Sequence, residues 1–362
     1  MTEYKKVFMR DNQGCDVSVS PVGLQSPCNH VFLLLFSTLI LLTVLQAVSN
    51  NPAGASEITS NDSGSINETE SDNTRTSSLN DTNATSFPVI HAHMSGEGGI
   101  FANAYLIETA NGVVAIDSTL TVNESKALRA SLDSLKKPLL AVFLTHPHPD
   151  HVAGVTNLVT SKEVPIIAVE SVEKIMNVTE EAKRIQWTPV FKEQWISKWT
   201  YPNQNVKDRD NVTFDGLTYR VYDLGPGGDS DANSIWILEN EPRVAFVGDL
   251  IFNGVHSYIA DDHMADWLNN IEKVRGLISN VSTIYPGHGQ PGSADLLDAQ
   301  KKYLLAYSEA VRELSNGQPT LTEDAKKELT AKMEQFLPGA GLSFLIANSA
   351  DPVAAELAKR PN

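Results

Sequence analysis

The sequence predicts an α/β layered domain set behind one uncharged apolar segment. Three observations carry this. From Phe87 onward, short apolar runs of strand character alternate with stretches of helical spacing. Residues 139–144 (LLAVFL) are continuously apolar, as in a strand covered on both faces. Only residues 31–48 (VFLLLFSTLILLTVLQAV) form an uncharged run of 18, nearly long enough at about 1.5 Å per residue to cross a bilayer core.

Composition narrows the function classes. The 362 residues include 44 acidic and 28 basic side chains, for a net charge of −16. A surface that negative repels phosphate backbones, so a nucleic-acid partner is not expected. With 41% hydrophobic residues and one long apolar run, a polytopic membrane protein is excluded. Two cysteines, Cys15 and Cys28, exclude a disulfide scaffold and a multi-cysteine metal site. The nine histidines are then the main soft-metal ligands available.

In chain order, residues 1–30 are a polar head carrying Lys5, Lys6 and Arg10. These precede the run at 31–48, and no basic residue follows it until Arg75, so the charge bias puts the head in the cytoplasm and the rest outside. Ala53-Gly54-Ala55 is a possible cleavage site, so the run reads as a membrane anchor or as a signal sequence cleaved near Ala55. Residues 49–86 read as a disordered stalk: 19 of the 31 residues at 56–86 are Ser, Thr or Asn, too polar to offset chain entropy by burial. Sequons at Asn61, Asn67, Asn80 and Asn83 lie there, and others at Asn123, Asn177, Asn211 and Asn280, making the chain a glycoprotein candidate.

Residues 87–297 form the main domain. His91 and His93 share one side of a first strand and read as satisfied edge histidines. Strands at 101–108 and 112–117 join through Asn111-Gly112, a hairpin signal. A helix at 124–135, strands at 139–144, 164–169, 217–223, 234–239 and 244–247, a helix at 262–280 and a short strand at 283–285 follow. Trp187, Trp195 and Trp199 read as core or lid packing. Helices at 294–315, 323–336 and 352–359 make residues 298–362 a helical layer on that domain.

The chemistry concentrates at strand ends. Directly after the strand at 139–144 comes Thr145-His146-Pro147-His148-Pro149-Asp150-His151. In an extended stretch His146 and His148 face one side, and Asp150 and His151 follow where the chain turns into a helix. Two prolines lower the entropy of holding the ligands. Two nitrogens for one metal, with a carboxylate and a nitrogen for a second, make a binuclear start. Two more strands end in a polar residue beside glycine: Gly248-Asp249, and Pro286-Gly287-His288-Gly289. Asp249 is placed to bridge two metals.

HPHPDH after a strand, FVGDLIFN and YPGHG, in that order, resemble the metallo-β-lactamase superfamily over residues 89–290. The resemblance implies an αββα sandwich, hydrolysis of esters, thioesters, lactams, lactones or phosphoesters, and one or two metal ions. It implies that His146 and His148 hold the first metal, that Asp150, His151 and His288 hold the second, and that Asp249 bridges. One position departs. Gly228 stands where the family supplies another first-site histidine, and Asp229 is the possible substitute ligand. If water fills the gap instead, the first metal binds weakly, so His288→Ala is expected to cost more metal than His146→Ala, and Gly228→His to raise stoichiometry. Zinc is the default, with Mn or Fe not excluded by mixed N/O ligands. His256 and Tyr258, in the stretch after Asp249, are expected at the rim, either as substrate-binding or oxyanion-stabilising groups or as ordinary loop packing.

The expected function is a metal-dependent hydrolase in which metal-activated water attacks a small acyl substrate, with Asp150 as the catalytic group that orients the water and carries its proton. The alternatives are a catalytically impaired metal-binding domain, motivated by Gly228, and an iron-dependent oxidoreductase on the same fold. A β-lactamase that uses a metal-binding cysteine is excluded, since the domain has none.

Overall fold

The structure, a computed structural model, describes residues 88–359 together with a two-residue antiparallel pair, Met9–Arg10 (β1) and Asp16–Val17 (β2). The apolar run at 31–48, the stalk and its four sequons lie outside the described residues. Among the described residues, no helix is long and apolar enough to cross a membrane.

The first half of the domain builds a six-stranded mixed sheet in the order β3-β4-β5-β6-β7-β8. Its strands are Val89–Met94 (β3), Asn103–Glu108 (β4), Val113–Ile116 (β5), Leu139–Phe143 (β6), Ile166–Val169 (β7) and Gln204–Val206 (β8). The Asn111-Gly112 turn joins β4 and β5 as an antiparallel hairpin, closed by the Thr109 N–H donating to the Gly112 carbonyl at 2.9 Å. From β5 onward the strands run parallel, so each connection must cross over. The first crossover is the helix Val122–Ser134 (α1), started by Thr121, whose side chain accepts from the Glu124 N–H. Two single turns, Pro149–Val152 (α2) and Val155–Leu158 (α3), and the long helix Glu170–Phe191 (α4) make the next two.

The second half builds a five-stranded mixed sheet in the order β13-β12-β11-β10-β9. Asn211–Phe214 (β9), Leu217–Gly225 (β10), Asn233–Leu238 (β11) and Val244–Phe252 (β12) meander antiparallel. The helix Met264–Leu277 (α5) then carries the chain to Thr283–His288 (β13), parallel to β12. Asp295–Ser315 (α6), Glu323–Phe336 (α7) and Phe344–Lys359 (α8) complete the domain.

Strand alternation divides the core. On β11, Trp236 and Leu238 join the cluster shared with the first sheet, while Ile235 and Ile237 join the cluster under α5–α8. Phe143 of β6 stacks on Trp236 at 4.4 Å and meets Tyr219 edge-on at 5.0 Å, so the two sheets pack against each other there. Each such buried ring contributes roughly 1.5–3 kcal/mol. α1 and α4 supply Leu128, Leu132, Val172 and Met176 to the first cluster, and α6–α8 supply Tyr303, Tyr307, Met333 and Ile346 to the second.

Five elements differ from the sequence reading. α4, β8 and β9 were not anticipated, and Trp195 and Trp199 are buried in the first cluster beside them. The last helix begins at Phe344 because Pro352 sits inside it rather than at its start. β12 continues past Val247 to Phe252, which changes how Asp249 is held.

Candidate metal centre

The centre is assembled where β6, β12 and β13 deliver polar residues. β6 ends at Phe143, and the next residues run into α2, with His148 in extended conformation just before the helix and Pro149 at its first position. The rings of His146 and His148 lie 5.2 Å apart, and those of His146 and His151 lie 4.3 Å apart. Asp249 sits within β12 rather than beyond it, at an irregularity where the register against β13 shifts. Glycine is required there: Gly248 has φ +51°, and a Cβ on it would lie 2.6 Å from Thr145 Oγ1. A Cβ on Gly287 would overlap the Asp249 carboxylate, so β13 admits that carboxylate only with glycine opposite it. His288 ends β13 with its ring stacked on Phe252.

These residues form two buried groups that share Asp249. His146, His148, Asp229 and Asp249 make the first; Asp150, His151, Asp249 and His288 make the second. Within each, one ligand atom per residue lies within 4.8 Å of all the others, and either group could hold a metal ion. His146 Nε2 is 3.7 Å from both Asp229 Oδ1 and Asp249 Oδ2. His151 Nε2 is 3.2 Å from Asp249 Oδ1, and His288 Nε2 lies 3.2 Å from Asp249 Oδ2 and 3.3 Å from Asp150 Oδ2. Yet His146 Nε2, His151 Nε2, Asp229 Oδ1 and Asp249 Oδ1 have no hydrogen-bond partner although they are buried. Buried polar atoms are rarely left so, and these four, divided between the two groups that Asp249 joins, fit bound cations.

The first group answers the question raised by Gly228. A Cβ there would lie 2.6 Å from Asn233 Oδ1, so a side chain at 228 is directed at Asn233 and not at the centre. The expectation that Gly228→His restores a ligand is therefore corrected. Asp229 is the residue brought in: it is buried, its Oδ2 is 2.6 Å from His148 Nδ1, and its Oδ1 faces His146. The loop behind it is tied down by Asn270, whose amide donates to the carbonyls of Leu224, Pro226 and Gly227, and by His263 against Asp231 at 2.8 Å.

Outside these two groups, two carboxylates orient the histidines. Asp117, in left-handed conformation at the end of β5, accepts from the Thr145 N–H and hydroxyl at 2.8 and 2.6 Å and lies 3.1 Å from His151 Nδ1. With its proton given to Asp117, the Thr145 hydroxyl accepts from His146 Nδ1 at 3.0 Å. Both Nε2 lone pairs then face the centre. On the other side Asp261 lies 3.2 Å from His148 Nε2, held by the Tyr258 hydroxyl at 2.8 Å. The sequence reading missed Asp117, Thr145 and Asp261. An aspartate closing an apolar strand, as in GVVAID, was the available signal for the first. Tyr258 does reach the site, 5.5 Å from the His148 ring. His256 does not fit its expected rim position: it is fully buried, bonded to the Tyr303 hydroxyl at 3.0 Å, because the chain at Val255 turns to pair with Gly341. His91 and His93 pair with Glu108 and Glu124, as satisfied edge residues do.

Burial opposes charge throughout, and the neighbours decide the outcome. Burial lowers the basicity of His148, but Asp229 and Asp261 outweigh it and carry the pKa up to about 10. His288 likewise rises to about 9 through Asp249 and Asp150. Burial, then the charge of His151, pushes His146 down and leaves it neutral. The surrounding histidines overcome burial to keep Asp150 and Asp249 ionised. The Metallo-beta-lactamase superfamily profile matches residues 98–288, more than half the chain.

The chain belongs to the metallo-beta-lactamase superfamily. It is 28% identical over 193 residues to the Beta-lactamase-like protein 2 homolog of Caenorhabditis elegans, covering 52% of this chain and 55% of that one. It is 24% identical over 210 residues to the Metallo-beta-lactamase type 2 of Bacillus cereus, covering 57% and 73%. It is 25% identical over 157 residues to the Hydroxyacylglutathione hydrolase of Prochlorococcus marinus (strain MIT 9301), covering 43% and 54%. The chain thus spans little more than half the length of the first and third of these superfamily relatives.

Proposed function

We propose that this superfamily member is a metal-dependent hydrolase of an ester, thioester, lactone or similar acyl substrate. The observation that carries the reading is the pair of buried four-residue groups joined by Asp249, with unpartnered ligand atoms aimed inward from both sides. His146, His148, Asp229 and Asp249 would hold one ion, and Asp150, His151, Asp249 and His288 the other. Their donor sets, two nitrogens and two carboxylates each, suit zinc and also accept manganese or iron. A divalent metal bound there would supply Lewis-acid polarisation of a carbonyl and a lowered pKa for water. Asp150, close to both His151 and His288, orients the attacking water and accepts its proton. Asp117 and Asp261 fix the histidine rings, so little reorganisation remains at the moment of reaction. Two of the relatives have names that denote hydrolytic activity on a lactam and a thioester, in keeping with acyl chemistry. Asp229 argues against the impaired-centre alternative, since it gives the first group a fourth member. The test is metal content by mass spectrometry alongside turnover of a panel of esters, thioesters and lactones. Metal-loaded protein is expected to hydrolyse at least one class, and chelation to abolish it; full metal content with no turnover across the panel would remove the reading.

The anchor or signal at 31–48 remains part of this proposal, with the domain outside the cytoplasm. In its support, Asn123, Asn177, Asn211 and Asn280, the sequon residues of the described domain, are all exposed. Protease added to intact cells should release a metal-binding fragment beginning near Phe87; protection until lysis would reverse the orientation.

A further inference from the structure

The centre is not evenly closed. His146 and His151 are fully buried, whereas His148 keeps 8% and Asp150 6% of their surface in contact with solvent. Solvent therefore reaches the metal groups at His148 and at Asp150. Tyr258 stands at the former, its ring edge-on to His148 at 5.5 Å and its hydroxyl committed to Asp261. Over the outer face of the same ring lies the ammonium of Lys183, 5.8 Å from the ring centroid. Lys183 comes from α4, the segment between β7 and β8. Its neighbour Arg184 is paired with Glu181, but Lys183 forms no ion pair among the described residues, and its stem is half-buried. Asp261 feels the charge of Lys183, but no carboxylate among the described residues lies within ion-pair distance of it, so this half-buried ammonium beside an aromatic ring keeps its donors for an anion.

We infer that Lys183, seated on Tyr258 two ring contacts out from the His148 ring, anchors a carboxylate on the substrate, and that the natural substrates are anionic acyl compounds rather than neutral ones. The inference rests on the hydrolase reading above and narrows its substrate class. Tyr258 acts as the spacer: its hydroxyl is occupied by Asp261, so what it offers a ligand is its ring, which suits the short aliphatic chain between the scissile carbonyl and the anchored charge. Asp261 gives its oxygens to His148 and to the Tyr258 hydroxyl and acts on Lys183 through its charge without an ion pair, which leaves the ammonium's donors for the ligand.

The experiment compares two esters of equal length, methyl valerate and monomethyl glutarate, on metal-loaded full-length protein. Lys183→Met keeps the stem on the ring and the helix propensity of α4 while removing the charge. It should raise KM for monomethyl glutarate about tenfold, the worth of one charge-assisted contact, with kcat held and methyl valerate unaffected. Lys183→Arg should restore the lower KM, and Lys183→Glu should penalise the anionic ester further. Equal changes on both esters, or none on either, overturn the anchor. A second arm needs no turnover: calorimetric binding of glutarate should weaken about tenfold in Lys183→Met, and unchanged affinity overturns the inference whatever the kinetics show. If neither ester is hydrolysed yet glutarate binding depends on Lys183, the anchor stands and the hydrolase reading falls.

Discussion

The two ligand groups share Asp249 and two-nitrogen, two-carboxylate chemistry, but they are built differently. The second draws its members only from strand ends, the β12 irregularity and the first turn of α2, all of which are fixed by the sheets. The first takes one member, Asp229, from a loop after β10. An aspartate is shorter than a histidine, so its backbone must come nearer to reach the same point. The loop does so with glycine: a Cβ on Gly227 would lie 2.5 Å from the Asp266 carbonyl carbon, and its φ of +104° favours glycine. A ligand on a loop can thus change its chemical type and shift by one residue, provided the loop is tied as Asn270 ties this one. The strand-end ligands have no such freedom.

The largest effect should come from the residue common to both groups. Asp249→Ala is expected to empty both and to lower kcat/KM by about a thousandfold or more, since several kcal/mol of transition-state stabilisation go with the metals. Next, His146→Ala and His288→Ala should now cost about one metal equivalent each. The sequence alone pointed to a smaller loss for His146→Ala; Asp229 removes the reason for that. A markedly smaller loss for His146→Ala, measured by mass spectrometry, would show that Asp229 does not serve.

The outer carboxylates sharpen the comparison. Asp117 supports His151 directly and His146 through Thr145, so Asp117→Asn should weaken both metals by about 10–100-fold. Among the ligands Asp261 touches only His148, so Asp261→Asn should weaken the first metal alone; metal titration that resolves two affinities checks this. Protons compete in both groups. His148 and His288 are raised, to about 10 and about 9, so at neutral pH both are protonated without metal and must release a proton to ligate. Apparent metal affinity should therefore rise as pH increases through neutrality and towards those values, with proton release visible as buffer-dependent binding heat. The smallest effect on metal content should come from Gly228→His, which faces Asn233: no added metal, and a stability loss of about 1–3 kcal/mol in thermal unfolding.

How much of this was legible in the sequence follows from where each residue stands. His146, His148, Asp150, His151 and His288 were readable because each lies at the end of an apolar strand or directly after it, where side-chain direction is set locally. Asp249 was readable for the same reason, although its strand runs on through the irregularity that glycine permits. Asp229 could be raised only as an alternative, because the loop's path depends on Asn270, 41 positions along in the numbering. His256 misled because proximity in sequence to Asp249 says nothing of the turn toward Gly341. α4 escaped notice because its exposed face carries Val178 and Ile185, which blurs the helical spacing of apolar residues. β8 is three residues long and mostly polar, so no periodicity marks it.

The most direct test of the account is metal stoichiometry in four purified proteins measured together: the parent, Asp229→Ala, His288→Ala and Asp249→Ala. About two, one, one and no equivalents per chain are expected, in that order. Two equivalents retained by Asp229→Ala would contradict it, because the first group would then be complete without the residue that distinguishes this centre.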